Sequence, residues 1–163
     1  MPARRIGIDV GGTKALGVAL DTSGRVIAED KRPTPRGPNS LEPLIDVLVD
    51  LANDLGYAGS LGVGVPGLVT GAGVLRAAPN LDGVADFDVR GSLAKRLDGD
   101  IVVDNDATCA TVAEWQLGAA AGTSNMILVT LGTGIGGGLV SNGQLQRGMN
   151  GFAGEFGHMV VHP

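Results

Sequence analysis

The stretch RIGIDVGGTKALGVAL, Arg5 to Leu20, reads as two strands joined by a glycine turn. Ile6, Ile8 and Val10 alternate with other residues before the turn Gly11-Gly12-Thr13-Lys14, and the run ALGVAL resumes the strand pattern after it. A glycine-rich turn of this kind can hold phosphate. Successive backbone N–H groups form a concavity of positive potential, and the missing side chains let oxygen atoms approach. Gly11, Gly12 and Thr13 suit that role. Asp9 stands just before the turn, where a carboxylate is out of place in a buried strand unless it organises a magnesium ion or its water shell. The competing reading is an ordinary tight turn with a capping Asp. Lys14 is explained equally well as a solvated surface lysine or as a phosphate contact.

Working outward, Arg25 to Lys31 supplies a third strand, and Pro33, Pro35 and Pro38 mark a connection. Leu41, Leu44, Ile45, Leu48, Leu51 and Leu55 keep helical spacing, which predicts a helix over Ser40 to Leu55 with Asn39 or Ser40 as cap and Gly56 as stop. A buried strand over Ser60 to Val65 ends at Pro66-Gly67, and a hairpin follows through Gly71 to Ala77. Then come a short helix over Asp88 to Leu97, a strand over Ile101 to Val103, and a helix over Asp106 to Leu117. In that last helix Ala107, Ala110, Val112, Ala113 and Leu117 form the expected apolar side. Met126 to Leu131, a glycine cluster, Gly138 to Ser141 and the Asn142-Gly143 turn complete an antiparallel set. The strand, glycine-threonine turn, strand pattern of Ile6 to Leu20 recurs loosely in Met126 to Val140, which suggests two related half-sites facing one ligand.

Composition narrows the function classes. A chain of 163 residues, 44% hydrophobic and 18% charged, has enough apolar material for an ordinary core and no long charge run. A net charge of -5 argues against a broad nucleic-acid footprint, which is built from concentrated Lys and Arg. The single cysteine, Cys109, cannot form an internal disulfide, and no apolar stretch approaches a membrane span or a secretory leader. A cytoplasmic protein acting on small molecules, with neither nucleic acid nor membrane as partner, is expected.

Further candidates are ambiguous one by one. Gly132, Gly134 and Gly137 spell Gly-x-Gly-x-x-Gly, but a dinucleotide fingerprint must open a helix, whereas Leu139 to Gly143 opens a strand and turn. Asn105-Asp106 places a carboxylate between a strand and a helix, where it reads as a ligand-facing group or, at least as well, as a helix cap. Glu155 and His158 are a carboxylate and an imidazole usable for sugar hydroxyls or metal, or else a surface pair. Asn80 alone reads as a turn asparagine.

Taken in order, IGIDVGGTK, GVGVPG, APNL, DNDATCA, TLGTGIGGG and GEFGHMVV resemble the N-terminal part of the ROK (repressor, open reading frame, kinase) sugar kinases, glucokinases above all, over nearly the whole chain. The resemblance implies an α/β fold of the actin-like ATPase (ribonuclease H-like) type, a mixed sheet with flanking helices. Residues 1–118 would form the first lobe and 119–163 an incomplete start of the second. It implies ATP-dependent phosphorylation of a hexose at its terminal hydroxymethyl group, glucose leading. Gly11, Gly12, Thr13 and Lys14 would be the first phosphate loop and Gly132, Thr133, Gly134, Gly136 and Gly137 the second, with Asp9 acting on Mg indirectly. Asp106 would be the general base; Gly67, Asn80, Asn105, Asp106, Glu155 and His158 would border or bind the sugar. In the family His158 also begins a structural zinc site completed by three later cysteines, which this sequence does not contain. Thr108 stands where the family commonly has Asn.

The same resemblance implies that a second half supplies the adenine pocket, the other zinc ligands and much of a dimer or tetramer surface. Other members phosphorylate N-acetylmannosamine, N-acetylglucosamine or fructose, and some are sugar-responsive repressors with a DNA-binding module ahead of the first strand. Only five residues precede Ile6 here. A sugar-binding protein without turnover is the remaining alternative.

Overall fold

The computed structural model describes residues 4–78, 81, 84–132 and 134–161. Strand β1 (Arg5–Val10) and strand β2 (Lys14–Leu20) pair antiparallel from Arg5 opposite Leu20 to Val10 opposite Ala15, so the glycine turn joins them as the alternation predicts. Strand β3 (Val26–Pro33) adds to the outer side of β2 and runs past the expected end at Lys31, with Pro33 opposite Lys14. Proline lacks an N–H to give to a ladder, and the end of an edge strand is where that loss is tolerated.

Helix α1 (Leu41–Asp54) then crosses to strand β4 (Ser60–Val65), which lies parallel to β1 with Ile6 opposite Leu61. A parallel partner requires such a crossover. Strands β5 (Leu68–Val69), β6 (Val74–Ala77) and β7 (Phe87–Asp88) form a small antiparallel sheet. Helix α2 (Val89–Ala94) follows, its N-cap Asp88 accepting from the Gly91 N–H at 2.8 Å. Strand β8 (Asp100–Asn105) closes the five-stranded sheet parallel to β4, giving the order β3-β2-β1-β4-β8. The sheet is thus mixed, antiparallel on the β3 side and parallel on the β8 side.

Periodicity decides what this sheet buries. Ile6, Ile8 and Val10 of β1 point to the face on which Leu44, Ile45, Leu48 and Leu51 of α1 are buried, and these join Val63, Val65, Leu93 and Val103 in one core. Each fully buried aliphatic side chain stabilises by about 1.5–3 kcal/mol relative to exposure. Of the two candidate caps of α1, Ser40 holds the N-cap position, while Asn39 adopts a positive φ of 64° just before it.

The chain divides into two compact units, Met1–Asp106 and Ala107–Pro163. The boundary therefore lies in the first turn of helix α3 (Asp106–Gln116), whereas the lobes expected from the sequence divide after residue 118. In the second unit, strands β9 (Met126–Leu131), β10 (Ile135–Ser141) and β11 (Gln144–Gln146) form an antiparallel sheet in the order β11-β10-β9. Asn142 and Gly143, with φ of 52° and 69°, make the tight turn that two positive φ values allow. A single 3₁₀ turn covers Phe156–His158.

The apolar side expected for α3 is corrected. Ala113 and Leu117 are exposed, and the buried residues are Ala107, Thr108 and Thr111. A Cβ added at Gly138 of β10 would lie 2.2 Å from the Thr111 hydroxyl oxygen, so helix and strand approach closely. Thr111 tolerates complete burial because its hydroxyl donates to the Ala107 carbonyl at 2.7 Å. Among the described residues no helix is long and apolar enough to cross a membrane.

Candidate active site

Because β1, β4 and β8 are parallel, their carboxyl ends share one edge of the sheet, and open α/β sheets bind ligands at that edge. Asp9 lies one residue before the end of β1, and Asp106 follows the last residue of β8. Their proximity has an electrostatic consequence. The Asp9 carboxyl is pushed above its ordinary value, first by desolvation at the strand end and second by the negative charge of Asp106.

That shift predicts a pH dependence. A raised folded-state value means that the fold binds the Asp9 proton more tightly than the unfolded chain does. This contribution to stability is present at pH below the ordinary carboxylate range and is lost as pH rises through the raised value. Asp9→Asn is therefore expected to be more stable than the unsubstituted chain at pH 7 in divalent-free buffer, with the advantage shrinking as pH falls. Urea unfolding at several pH values measures it, and a carboxyl NMR titration in Asp106→Asn should show the Asp9 value moving back down.

The glycine turn is held from outside. The Gly11 N–H donates to the Lys14 carbonyl at 2.9 Å, closing the turn. The Thr34 hydroxyl donates to the Gly11 carbonyl at 2.7 Å, and its N–H donates to the Thr13 carbonyl at 3.1 Å. Arg36 grips the Gly12 carbonyl twice, through Nε at 3.1 Å and Nη2 at 2.8 Å. From the sequence, 33–38 reads only as a proline-marked connection, which points to neither Thr34 nor Arg36 as functional. The one local signal is a threonine placed between Pro33 and Pro35, since a polar residue there needs a use.

On the β8 side, the Asn105 Nδ2 donates to the Gly67 carbonyl at 3.0 Å. Gly67 has φ of 108°, which disfavours any side chain, and a Cβ there would lie 2.2 Å from the Ala77 carbonyl oxygen. The carboxyl ends of β4 and β8 are thereby tied together beside Asp106. The Asn105 N–H also donates to Asp104 Oδ1 at 2.9 Å, and Asp104 is buried.

In the second unit, the Gly132 N–H donates to the Gly134 carbonyl at 3.0 Å and closes the turn between β9 and β10. A Cβ at Gly132 or Gly134 would meet open space, the condition a ligand-facing glycine needs. Gly136 and Gly137 differ. Their added Cβ atoms would lie 3.0 Å from Ala107 Cβ and 2.6 Å from the Phe156 ring, so internal packing alone accounts for glycine there. The turn opens the strand β10, as a phosphate-binding hairpin would and a dinucleotide fingerprint would not. Glu155 and His158 sit at the 3₁₀ turn with Oε2 and Nε2 3.8 Å apart. Asn80 and Thr133 lie outside the described residues.

Two metal roles differ in fit. Asp9 with Asp106 nearby offers oxygen donors whose mutual repulsion a divalent cation would relieve, which suits magnesium. Structural zinc needs four nitrogen or sulfur-rich ligands, and among the described residues no group of three or more His, Cys, Asp or Glu is arranged to hold a metal. His158 with Glu155 does not make that set.

The model of the ROK family matches residues 5–163. A glucokinase of Halalkalibacterium halodurans is 37% identical over 97% of this chain and 50% of its own length. An N-acetyl-D-glucosamine kinase of Pectobacterium atrosepticum is 39% identical over 94% of this chain and 51% of its own. Among solved structures, a ROK family glucokinase from Streptomyces griseus, in complex with glucose and AMPPNP, superposes with a TM-score of 0.88 at 33% identity, over 99% of this chain and 52% of that one. The chain spans about half the length of the relatives it matches, and its mixed sheet with flanking helices is the actin-like ATPase architecture of those kinases.

Proposed function

Since the chain belongs to the ROK family, we propose that it forms the catalytic floor of an ATP-dependent hexose kinase that converts glucose to glucose 6-phosphate. The observation carrying this reading is the carboxylate pair Asp9 and Asp106 at the carboxyl edge of the parallel strands, beside a glycine turn.

In this reading Asp106 accepts the proton of the sugar's terminal hydroxyl as that oxygen bonds to the γ-phosphorus of ATP and the bond from phosphorus to the ADP oxygen breaks. Gly11, Gly12, Thr13 and Lys14 would be the first phosphate loop, and Gly132, Thr133, Gly134, Gly136 and Gly137 the second, with glycine at the last two positions also required by packing. Asp9 would hold magnesium through water, and the ion would neutralise phosphate charge. Phosphoryl transfer has a loose transition state, so positioning and charge neutralisation carry most of the acceleration. Gly67, Asn80, Asn105, Glu155 and His158 would orient the sugar. An epimer that cannot pair with one of these polar groups in the closed complex is discriminated against. Residues 1–118 and 119–163 would serve as first lobe and start of the second, with oligomerisation left to the longer form.

The 39% identity to an N-acetyl-D-glucosamine kinase favours a second substrate class, the N-acetylated hexoses. A coupled ADP-release assay with glucose, N-acetylglucosamine, N-acetylmannosamine and fructose separates them by kcat/KM. It should be run on this chain and on a form extended by a relative's second half. Glucose is expected to lead, and no turnover with any hexose in either form would overturn the kinase reading.

A further inference from the structure

Resting on the phosphate-loop reading of Gly11 to Lys14, we propose that Arg36 is a positioning residue that aims the Thr13 amide, beside the Gly12 amide that Thr34 aims, at the nucleotide's phosphates. In a trans peptide the carbonyl of one residue and the N–H of the next point in opposite directions. The connection after β3 takes hold of three successive carbonyls, Gly11 through the Thr34 hydroxyl at 2.7 Å, Gly12 through the Arg36 guanidinium at 2.8 and 3.1 Å and Thr13 through the Thr34 N–H at 3.1 Å. The Gly12 and Thr13 N–H groups, which belong to the first two of those peptides, are turned away from the connection together. Among the described residues neither finds a protein acceptor. Two adjacent unmatched amides aimed one way are the concavity that binds an anionic oxygen.

Arg36 does what a smaller donor could not. Thr34 is buried and fixed, but Arg36 reaches from the surface, and its planar fork places two N–H groups on one oxygen. That geometry fixes the tilt of the Gly12–Thr13 peptide, where a single donor would let it rock. The Gly12–Thr13 peptide needs that external brace, because Gly12 on its N-terminal side does not restrain its own φ and ψ. The guanidinium also puts a permanent positive charge beside the turn.

The test is a titration of the ¹⁵N-labelled 163-residue chain with MgATP, read at the Gly12 and Thr13 amides. Both amides are expected to shift, and Arg36→Ala to raise the Kd read from them about tenfold, the scale of losing a charge-assisted hydrogen bond. Arg36→Lys keeps the charge and loses the two-pronged grip, so most of the loss is expected there too, with the other amide positions unchanged. An unchanged Kd in Arg36→Ala, or full affinity in Arg36→Lys, overturns the positioning role while the loop reading stands. Absence of any shift at Gly12 and Thr13 in the unsubstituted chain overturns the loop reading and the proposal with it.

Discussion

Replacing Asp106 with Asn is expected to lower the turnover number for hexose phosphorylation by about 10²–10⁴-fold, the usual contribution of a positioned base. The substitution separates the two roles open to this residue. Asn is about as good as Asp near a helix start, so a residue that only caps α3 would survive the change with turnover intact. It also removes the negative charge that raises the Asp9 value, and the folded state should gain rather than lose from that relief. Loss of turnover without loss of thermal stability or of sugar binding, measured on the extended form by the coupled assay and by calorimetry, is therefore the expected pattern. Retained turnover would remove Asp106 from the base role.

Gly67→Ala is expected to be the most destabilising small substitution at the site. Two penalties add: a backbone held at φ 108°, and a Cβ 2.2 Å from the Ala77 carbonyl oxygen and 2.8 Å from Ala78 Cα. Those atoms belong to the main chain, and Ala77 is paired with Leu68, so neither can swing aside as a side chain could. Strain and overpacking of this kind cost about 2–6 kcal/mol together, a fall in Tm of roughly 5–20 °C for a chain of this size. Gly62→Ala is the control, because a Cβ there meets nothing within 4 Å. Equal melting temperatures for the two variants would refute the argument. The damage should spread to the Asn105 amide, whose partner is the Gly67 carbonyl itself.

Much of this arrangement was legible because it is written in short-range periodicity. The alternation of Ile6, Ile8 and Val10, the helical spacing of Leu44, Ile45, Leu48 and Leu51, and the Asn142-Gly143 turn each encode their element locally. Strand β8 extends further than the apolar Ile101 to Val103 suggested, since Asp104 is buried yet interrupts the apolar run. Hydrophobicity does not reveal the inner side of α3, because size decides there: a helix lying on glycines needs small residues, and Thr111 fits once its hydroxyl is satisfied within the helix. Arg36 was invisible for a different reason. Its partner, Gly12, is 24 residues away, and no periodicity records a contact across that separation. Of the sugar-facing candidates, Asn105 and Gly67 are brought together, as are Glu155 and His158.

The tight seat of β10 bears on how variants of this protein should be screened. Gly136, Gly137 and Gly138 abut Ala107, Phe156 and Thr111, so nearly every substitution there would reduce the yield of folded protein. A saturation library scored by growth on sugar alone would rank these three positions beside true ligand contacts such as Gly132 or Gly134 are proposed to be. Scoring the same library for abundance as well as growth would split the two groups, with the packing glycines losing both signals and the turn glycines losing only growth.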